Sequence, residues 1–263
     1  MQPSCERFNC IASNYLTSEI HRSSPTIARL HELLAGCAVN TVCDVACGAG
    51  HLGLSFAGRA SRIVAVDPAP NMLAAALLAA SEKQVALETH NASAEALPLP
   101  DGEFDLTASR LAPHHFTDVY AGLREMARVT KIGGRVAVID MEGHPNAVYD
   151  DFNHRLELLH DSTHVRSYTA ARWRDIFEQA GLVIEALESG LTERPAGVPV
   201  KRWCEIASSG EQAEAEINRL LREADPDMLS ALGIGEQESG FLMPVRTVLV
   251  LARRVASGQQ AKP

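Results

Sequence analysis

The chain has 263 residues, 46% of them hydrophobic, and a formal net charge of −9 at pH 7. That length and apolar content support one sizeable folded domain and exclude wholesale disorder. An acidic chain with no long basic run lacks the footprint of a nucleic-acid binder, and no stretch approaches the roughly 18 apolar residues of a membrane span.

The first clear element is a helix from Ser24, with Ser24 as cap, Pro25 at the first turn and Gly36 as stop. Ile27, Leu30, Leu33 and Leu34 recur at helical spacing. A short apolar strand over 42–46 follows, interrupted only by Asp44. It runs into the turn G-A-G-H-L-G, with Gly48, Gly50 and Gly53, and a helix reaching about Arg59. A second strand over 62–66 ends at Asp67. A helix over 70–82, strands over 84–89 and 104–109, and a helix over 117–131 stopped by Gly133 and Gly134 come next. A fifth strand spans 135–140.

This alternation predicts an α/β fold, a doubly wound, mainly parallel sheet with helices on both faces. A helix over 170–180, a strand over 182–187 and a last strand over 246–252 bring the sheet to seven strands. The long gap between those last two strands exceeds a plain loop and reads as mostly helical, including a helix over 211–223. The expected division is an N-terminal segment with the first helix (1–36), the half of alternating strands and helices (37–140) and two insertions (141–169 and 190–245) within a single domain.

The N-terminus, MQPSCERFNC, lacks the basic-then-apolar pattern of a secretory signal, so a cytoplasmic protein is expected. The six cysteines read as free thiols, and Cys43 and Cys47 have the wrong spacing for a zinc knuckle.

In an open parallel sheet the ligand sits beyond the strand ends at the switch point, so the glycine turn marks a site. Asp67 lies 19 residues after Gly48, where a carboxylate accepts from ribose hydroxyls. A nicotinamide dinucleotide and S-adenosylmethionine both carry such a ribose, and these two features do not choose between them.

The next segments do. D-V-A-C-G-A-G begins at Asp44, V-A-V-D-P-A-P-N-M at Val64, and S-A-E-A-L-P-L-P-D-G-E-F-D at Ser93. R-L-A-P-H-H-F begins at Arg110 and R-V-T-K-I-G-G-R at Arg128. In this order the sequence resembles the class I S-adenosylmethionine-dependent methyltransferases, within them the small-molecule group of the ubiquinone and menaquinone methyltransferases. The resemblance implies a Rossmann-like fold and methyl transfer from S-adenosylmethionine, which leaves as S-adenosylhomocysteine. It implies that Asp44 and the backbone from Ala46 through Gly48 to Gly50 hold the methionine moiety. Asp67 and Pro68 hold the ribose, Met72 packs on the adenine, and Ser93, Ala94 and Glu95 flank it. Ser93 stands where the family usually has Asp. The stretch from Phe8 to His21 resembles the family's covering segment, with Tyr15 excluding water and His21 reaching the cofactor's carboxylate.

Methyl transfer to a hydroxyl or acidic nitrogen needs a base, and histidine suits this near neutral pH. Arg110, His114 and His115 follow the fourth strand and are the catalytic candidates, with Arg110 also near the cofactor. His115, His164, Arg166, Tyr168 and Trp203 are the substrate-binding candidates; His160, His164 and Arg166 favour an anionic or electron-rich acceptor. The histidine spacing does not ask for a metal. The expected partner is a small, cyclic or aromatic acceptor methylated on oxygen, nitrogen or carbon, with the protein a monomer or homodimer. The rival readings are a nicotinamide-dependent oxidoreductase and a protein that binds S-adenosylmethionine without methyl transfer.

Overall fold

Each half of the chain that alternates strand and helix contributes to one sheet. The computed structural model describes residues 3–22 and 24–256; residues 1, 2 and 23 of the expected N-terminal segment lie outside the described residues. The N-terminal helices are α1 (Pro3–Thr17), α2 (Glu19–Arg22) and α3 (Pro25–Leu33). Then follow β1 (Thr41–Val45), α4 (His51–Leu54), β2 (Arg62–Asp67), α5 (Pro70–Glu82), β3 (Glu88–Asn91) and β4 (Phe104–Arg110). After a single turn of tight helix at Pro113–His115 come α6 (Val119–Val129), β5 (Thr130–Met141), α7 (Ala147–His160), α8 (Ala170–Gln179) and β6 (Leu182–Thr192). The insert holds β7 (Val198–Pro199), α9 (Val200–Ala207), α10 (Glu211–Glu223), α11 (Pro226–Leu232), β8 (Gly235–Gln237) and β9 (Gly240–Met243). β10 (Arg246–Arg254) ends the fold.

The seven-stranded sheet has the order β3-β2-β1-β4-β5-β10-β6, with only β10 antiparallel to its neighbours. The order reverses between β1 and β4, so the C-terminal ends of these strands open the crevice where such sheets bind ligands. The central strands are apolar on both faces because helices cover both. Val42, Leu106 and Ile139 meet Leu30 and Phe56 on one side, while Cys43, Val45 and Val138 meet Leu123, Met126 and Trp173 on the other. Full burial of a side chain such as Phe56 or Leu123 stabilises by about 1.5–3 kcal/mol.

The insert has its own core, in which Leu156 of α7 joins Val200, Trp203, Ile217, Leu221 and Phe241. The excursion after β5 and the insert before β10 are therefore packed on each other. The expectation of a mostly helical insert is corrected: α9, α10 and α11 are accompanied by a three-stranded antiparallel sheet, β7-β9-β8. Its strands are too short to carry a period-2 signal.

Other boundaries moved for local reasons. The third strand, expected over 84–89, is β3 at Glu88–Asn91, an edge strand without a buried residue. Asp118 caps α6 by accepting from the Ala121 N–H, so the helix starts later than expected. It ends at Val129, and Gly133 and Gly134 belong to the start of β5. There a Cβ on Gly134 would stand 3.0 Å from the Asp105 carbonyl oxygen. The helix after the glycine turn stops at Leu54. Ser24 does cap α3, accepting from the Ile27 N–H. Among the described residues no helix is long and apolar enough to cross a membrane, and all six cysteines are unbridged.

Candidate active site

Two adjoining cavities open at the switch point. The first spans about 850 Å³, counting the solvent space at its mouth, and gathers strand ends from the whole first half: Asp44 near the end of β1 with Ala46 beyond it, Asp67 at the end of β2 with Pro68 beyond it, and Arg110 at the end of β4. Gly48, Met72, Ser93, Ala94, Glu95, Tyr15, His21 and His115 also line it. Gly50 does not. Its φ of +76° turns the chain into α4, and a Cβ there would lie 3.1 Å from the Ala76 Cβ, so this glycine serves the close approach of the turn to α5. Sequence reasoning missed His51, Leu111 and Phe116, which line the cavity beside the motif positions.

The motif acids are tied down locally. Asp44 accepts from the Gly53 N–H at 2.7 Å, and Asp67 accepts from the Gly48 and Ala69 N–H groups at 2.9 Å each. Burial pushes Asp44 up to about 7 and Asp67 up to about 6, and the backbone donors hold each shift back. Ala46 has φ +53°, which explains why glycine is common there in the resembled motif: only glycine adopts that conformation without strain.

Helix α1 closes the first cavity. Phe8 and Tyr15 pack edge to face at 5.6 Å, and Cys5, Ala12, Ala69 and Met72 form a small core beneath them. The His51 ring meets the Tyr15 carbonyl at 3.1 Å. Arg110 donates to Glu193 at 3.1 Å and to the Ile20 and His21 carbonyls at 3.0 and 3.4 Å. Its charge is thus engaged by a fully buried acid, and the guanidinium fastens α2 to the end of β4. The expectation that Arg110 acts on the reacting atoms is revised on this ground. His21 bonds Ser18 Oγ, and burial together with Arg110 holds its ring well below the ordinary histidine range.

The second cavity, about 570 Å³, lies under α7 and α9. Tyr15, His21, Leu111 and His115 line both cavities. His114, Glu157, His160, Asp161, His164 and Trp203 line the second alone among the two. His114 Nδ1 lies 2.6 Å from Asp140 Oδ1 at the end of β5. Burial opposes a charge on this ring, yet Asp140 outweighs it and raises the His114 pKa. His115 is its opposite. Burial and the neighbouring His114 push it down to about 3, and its Nδ1 meets the Thr163 carbonyl at 3.0 Å. Trp203 stacks on His160 with ring centroids 3.8 Å apart.

Two substrate candidates lie elsewhere. Arg166 turns outward to a short ion pair with Asp150, and Tyr168 packs against Trp173 at 5.4 Å. A turn at Ser162 and Thr163, closed by the His164 N–H donating to the Asp161 carbonyl, sets His164 inward, and the Val165 and Arg166 N–H groups then donate to the His114 carbonyl. Among the described residues no group of three or more His, Cys, Asp or Glu is arranged to hold a metal ion.

Three of the five described non-glycine residues with positive φ line these cavities: Ala46 (+53°), Leu111 (+50°) and Val245 (+45°). Such conformations cost on the order of 1–3 kcal/mol and cluster where a site needs them.

A sheet of this order, with a glycine turn and two acids at the strand ends of its switch point, defines a Rossmann-like cofactor-binding protein. The comparisons agree. The methyltransferase domain family matches residues 43–138. The chain is 33% identical over 207 residues to the uncharacterized methyltransferase YcgJ of Bacillus subtilis, covering 78% of this chain and 82% of that protein. The crystal structure of YcgJ superposes with a TM-score of 0.78 at 27% identity, over 88% of this chain and 99% of that one. A demethylmenaquinone methyltransferase of Thermus thermophilus is 34% identical over 110 residues, 41% of this chain and 50% of the relative. The chain belongs to the class I S-adenosylmethionine-dependent methyltransferases; it is an enzyme, and its cofactor is S-adenosylmethionine. The nicotinamide alternative is thereby set aside.

Proposed function

We propose that this methyltransferase acts on a small, cyclic or aromatic molecule held in the histidine-lined cavity, on an oxygen, nitrogen or carbon atom, without a metal. The observation that carries this reading is the junction of the two cavities at Tyr15, His21, Leu111 and His115. A molecule in the second cavity meets one in the first only there.

The residues of the first cavity fit the cofactor. Asp67 would hold the ribose hydroxyls, keeping lone pairs beyond those used by the Gly48 and Ala69 N–H groups. Asp44 and the backbone of Ala46 and Gly48 would face the methionine end; nothing stands within 4 Å of where a Cβ on Gly48 would lie. Met72 and Phe116 offer apolar walls to the adenine, with Ser93, Ala94 and Glu95 at its edge.

When bound, the cofactor supplies a methyl group on an already activated sulfonium. The protein's work is then alignment, exclusion of water and removal of one proton. Phe8 and Tyr15 close the site. His114 is the base: an Nδ1–H donated to Asp140 leaves the Nε2 lone pair for the acceptor's proton. His115, held neutral, packs beside Phe8 at 5.0 Å and shapes the junction. Arg110 holds the covering segment in place.

The test is label transfer. The protein, given methyl-labelled cofactor and metabolite extract, should label a small molecule in EDTA as well as without it. Label found only on protein or nucleic acid would overturn the acceptor class. Activity lost in EDTA and restored by one metal would overturn metal independence.

A further inference from the structure

The second cavity can be read for charge as well as for shape. Among the described residues no lysine or arginine lines it. Of its five histidines only His114 favours the charged form, and Asp140 matches that charge. His115, His160 and His164 are all shifted down by burial, so they are neutral near pH 7. His114 faces the buried Asp140. The expectation of an anionic acceptor leaned on Arg166, and Arg166 is turned out to Asp150.

The acids of the cavity are not alike. Asp161 is occupied: it accepts from the Thr163 N–H and hydroxyl and pairs with Arg7 at 2.9 Å. Glu157 is not. Its side chain is only 8% exposed, yet among the described residues no hydrogen bond reaches its carboxyl. The nearest ion-pair partner is His160 Nδ1 at 3.9 Å, beyond hydrogen-bond reach. Glu157 lines this cavity together with His160, and also borders a smaller neighbouring one. A buried carboxyl without a partner is costly, and an arriving donor removes that cost. Beside it stands the flat wall of Trp203 stacked on His160.

We infer that Glu157 anchors the methyl acceptor, and that the acceptor presents to it an amine or hydroxyl hydrogen-bond donor in place of a carboxylate or phosphate. This rests on the second cavity being the acceptor site. The burial that pushes Glu157 up to about 7 fits a group awaiting a partner.

The experiment uses a panel of ring fragments in matched pairs, one bearing an amine or hydroxyl and its twin a carboxylate. They are titrated by ligand-observed NMR onto the full chain saturated with S-adenosylhomocysteine. The donor-bearing twins should bind at least about tenfold tighter. E157Q should erase that preference while holding S-adenosylhomocysteine affinity within about threefold. Glu157→Met should melt no lower than the unmodified protein, since it removes an unpartnered buried acid. Equal binding of the carboxylate twins, a preference that survives in E157Q, no binding by either class, or a lowered melting temperature in Glu157→Met would each overturn the anchor. The acceptor reading fails separately: label transfer to small molecules reports on it whatever the twins do.

Discussion

The cofactor side and the acceptor side of this enzyme treat buried polar groups in opposite ways. On the cofactor side each acid is satisfied by backbone close to it in sequence. Asp44 is held by Gly53, and Asp67 by Ala69 and by Gly48, 19 residues away. On the acceptor side Asp140 Oδ2, His164 Nε2 and the Glu157 carboxyl find no hydrogen-bond partner among the described residues. Buried polar atoms are satisfied in most native interiors, so an unsatisfied set calls for a reason. The cofactor cradle is complete when folded, whereas the acceptor cavity is completed by what enters it.

Removing His114 should widen this contrast most. His114→Ala should lower turnover by about 100- to 10,000-fold, the range of general-base catalysis, with cofactor affinity within about threefold. Turnover with the acceptor found by label transfer, set beside calorimetry with S-adenosylhomocysteine, checks it. An equal loss of cofactor binding would mean that the two sides are not separable.

The next effect is a pH dependence confined to the acceptor side. Glu157 stands at about 7 in the fold against 4.5 for an unburied glutamate. The folded state thus binds this proton more tightly, and ionised Glu157 destabilises the fold. That penalty is full above about pH 7 and disappears as pH falls below 4.5. E157Q should therefore gain stability over the unmodified protein at pH 8, on the order of 3 kcal/mol at most at about 1.4 kcal/mol per pKa unit. At pH 4.5 the gain should vanish. Denaturant melts at both pH values measure it, and a pH-independent difference would contradict the unpartnered burial of Glu157.

Breaking the cofactor side costs somewhat less. Asp67→Ala should weaken cofactor binding by roughly 1.5–3 kcal/mol, the worth of hydrogen bonds to a charged acceptor. It should also lower the melting temperature, because the Gly48 and Ala69 N–H groups lose their partner. Unchanged affinity by calorimetry would remove Asp67 from the site.

The smallest effect is expected at Arg166. It pairs with Asp150 at a partly exposed position outside both cavities, so Arg166→Ala should cost about 1 kcal/mol of stability or less. The acceptor's KM should stay within about threefold. A large rise in KM would return Arg166 to the substrate side.

The two sides also differed in how far they could be read from the residues. Every cofactor-side candidate except Gly50 lines the first cavity, because each motif ends a strand at the same edge of one sheet. Strand order and strand ends follow from hydrophobic period and turn chemistry, which are local properties. On the acceptor side His114, His115, His164 and Trp203 reach a cavity, while Arg166 and Tyr168 turn away. Glu157 and Asp140 were passed over. One signal was available for Glu157: it stands seven residues after Asp150, both buried, as two acids recurring on the inward face of α7.

What the sequence determined by itself was the chain of strand, glycine turn and acid that makes a class I methyltransferase, since each link depends on neighbours a few residues away. Only the tertiary structure decided which of two adjacent histidines is backed by Asp140, and which of the later polar side chains point inward. His114 meets Asp140 across 26 positions, and His160 meets Trp203 across 43. Contacts at such separations arise when α7 and the insert bury a common apolar core. Apolar burial is non-directional, so no local pattern of residues announces which polar groups it will bring together.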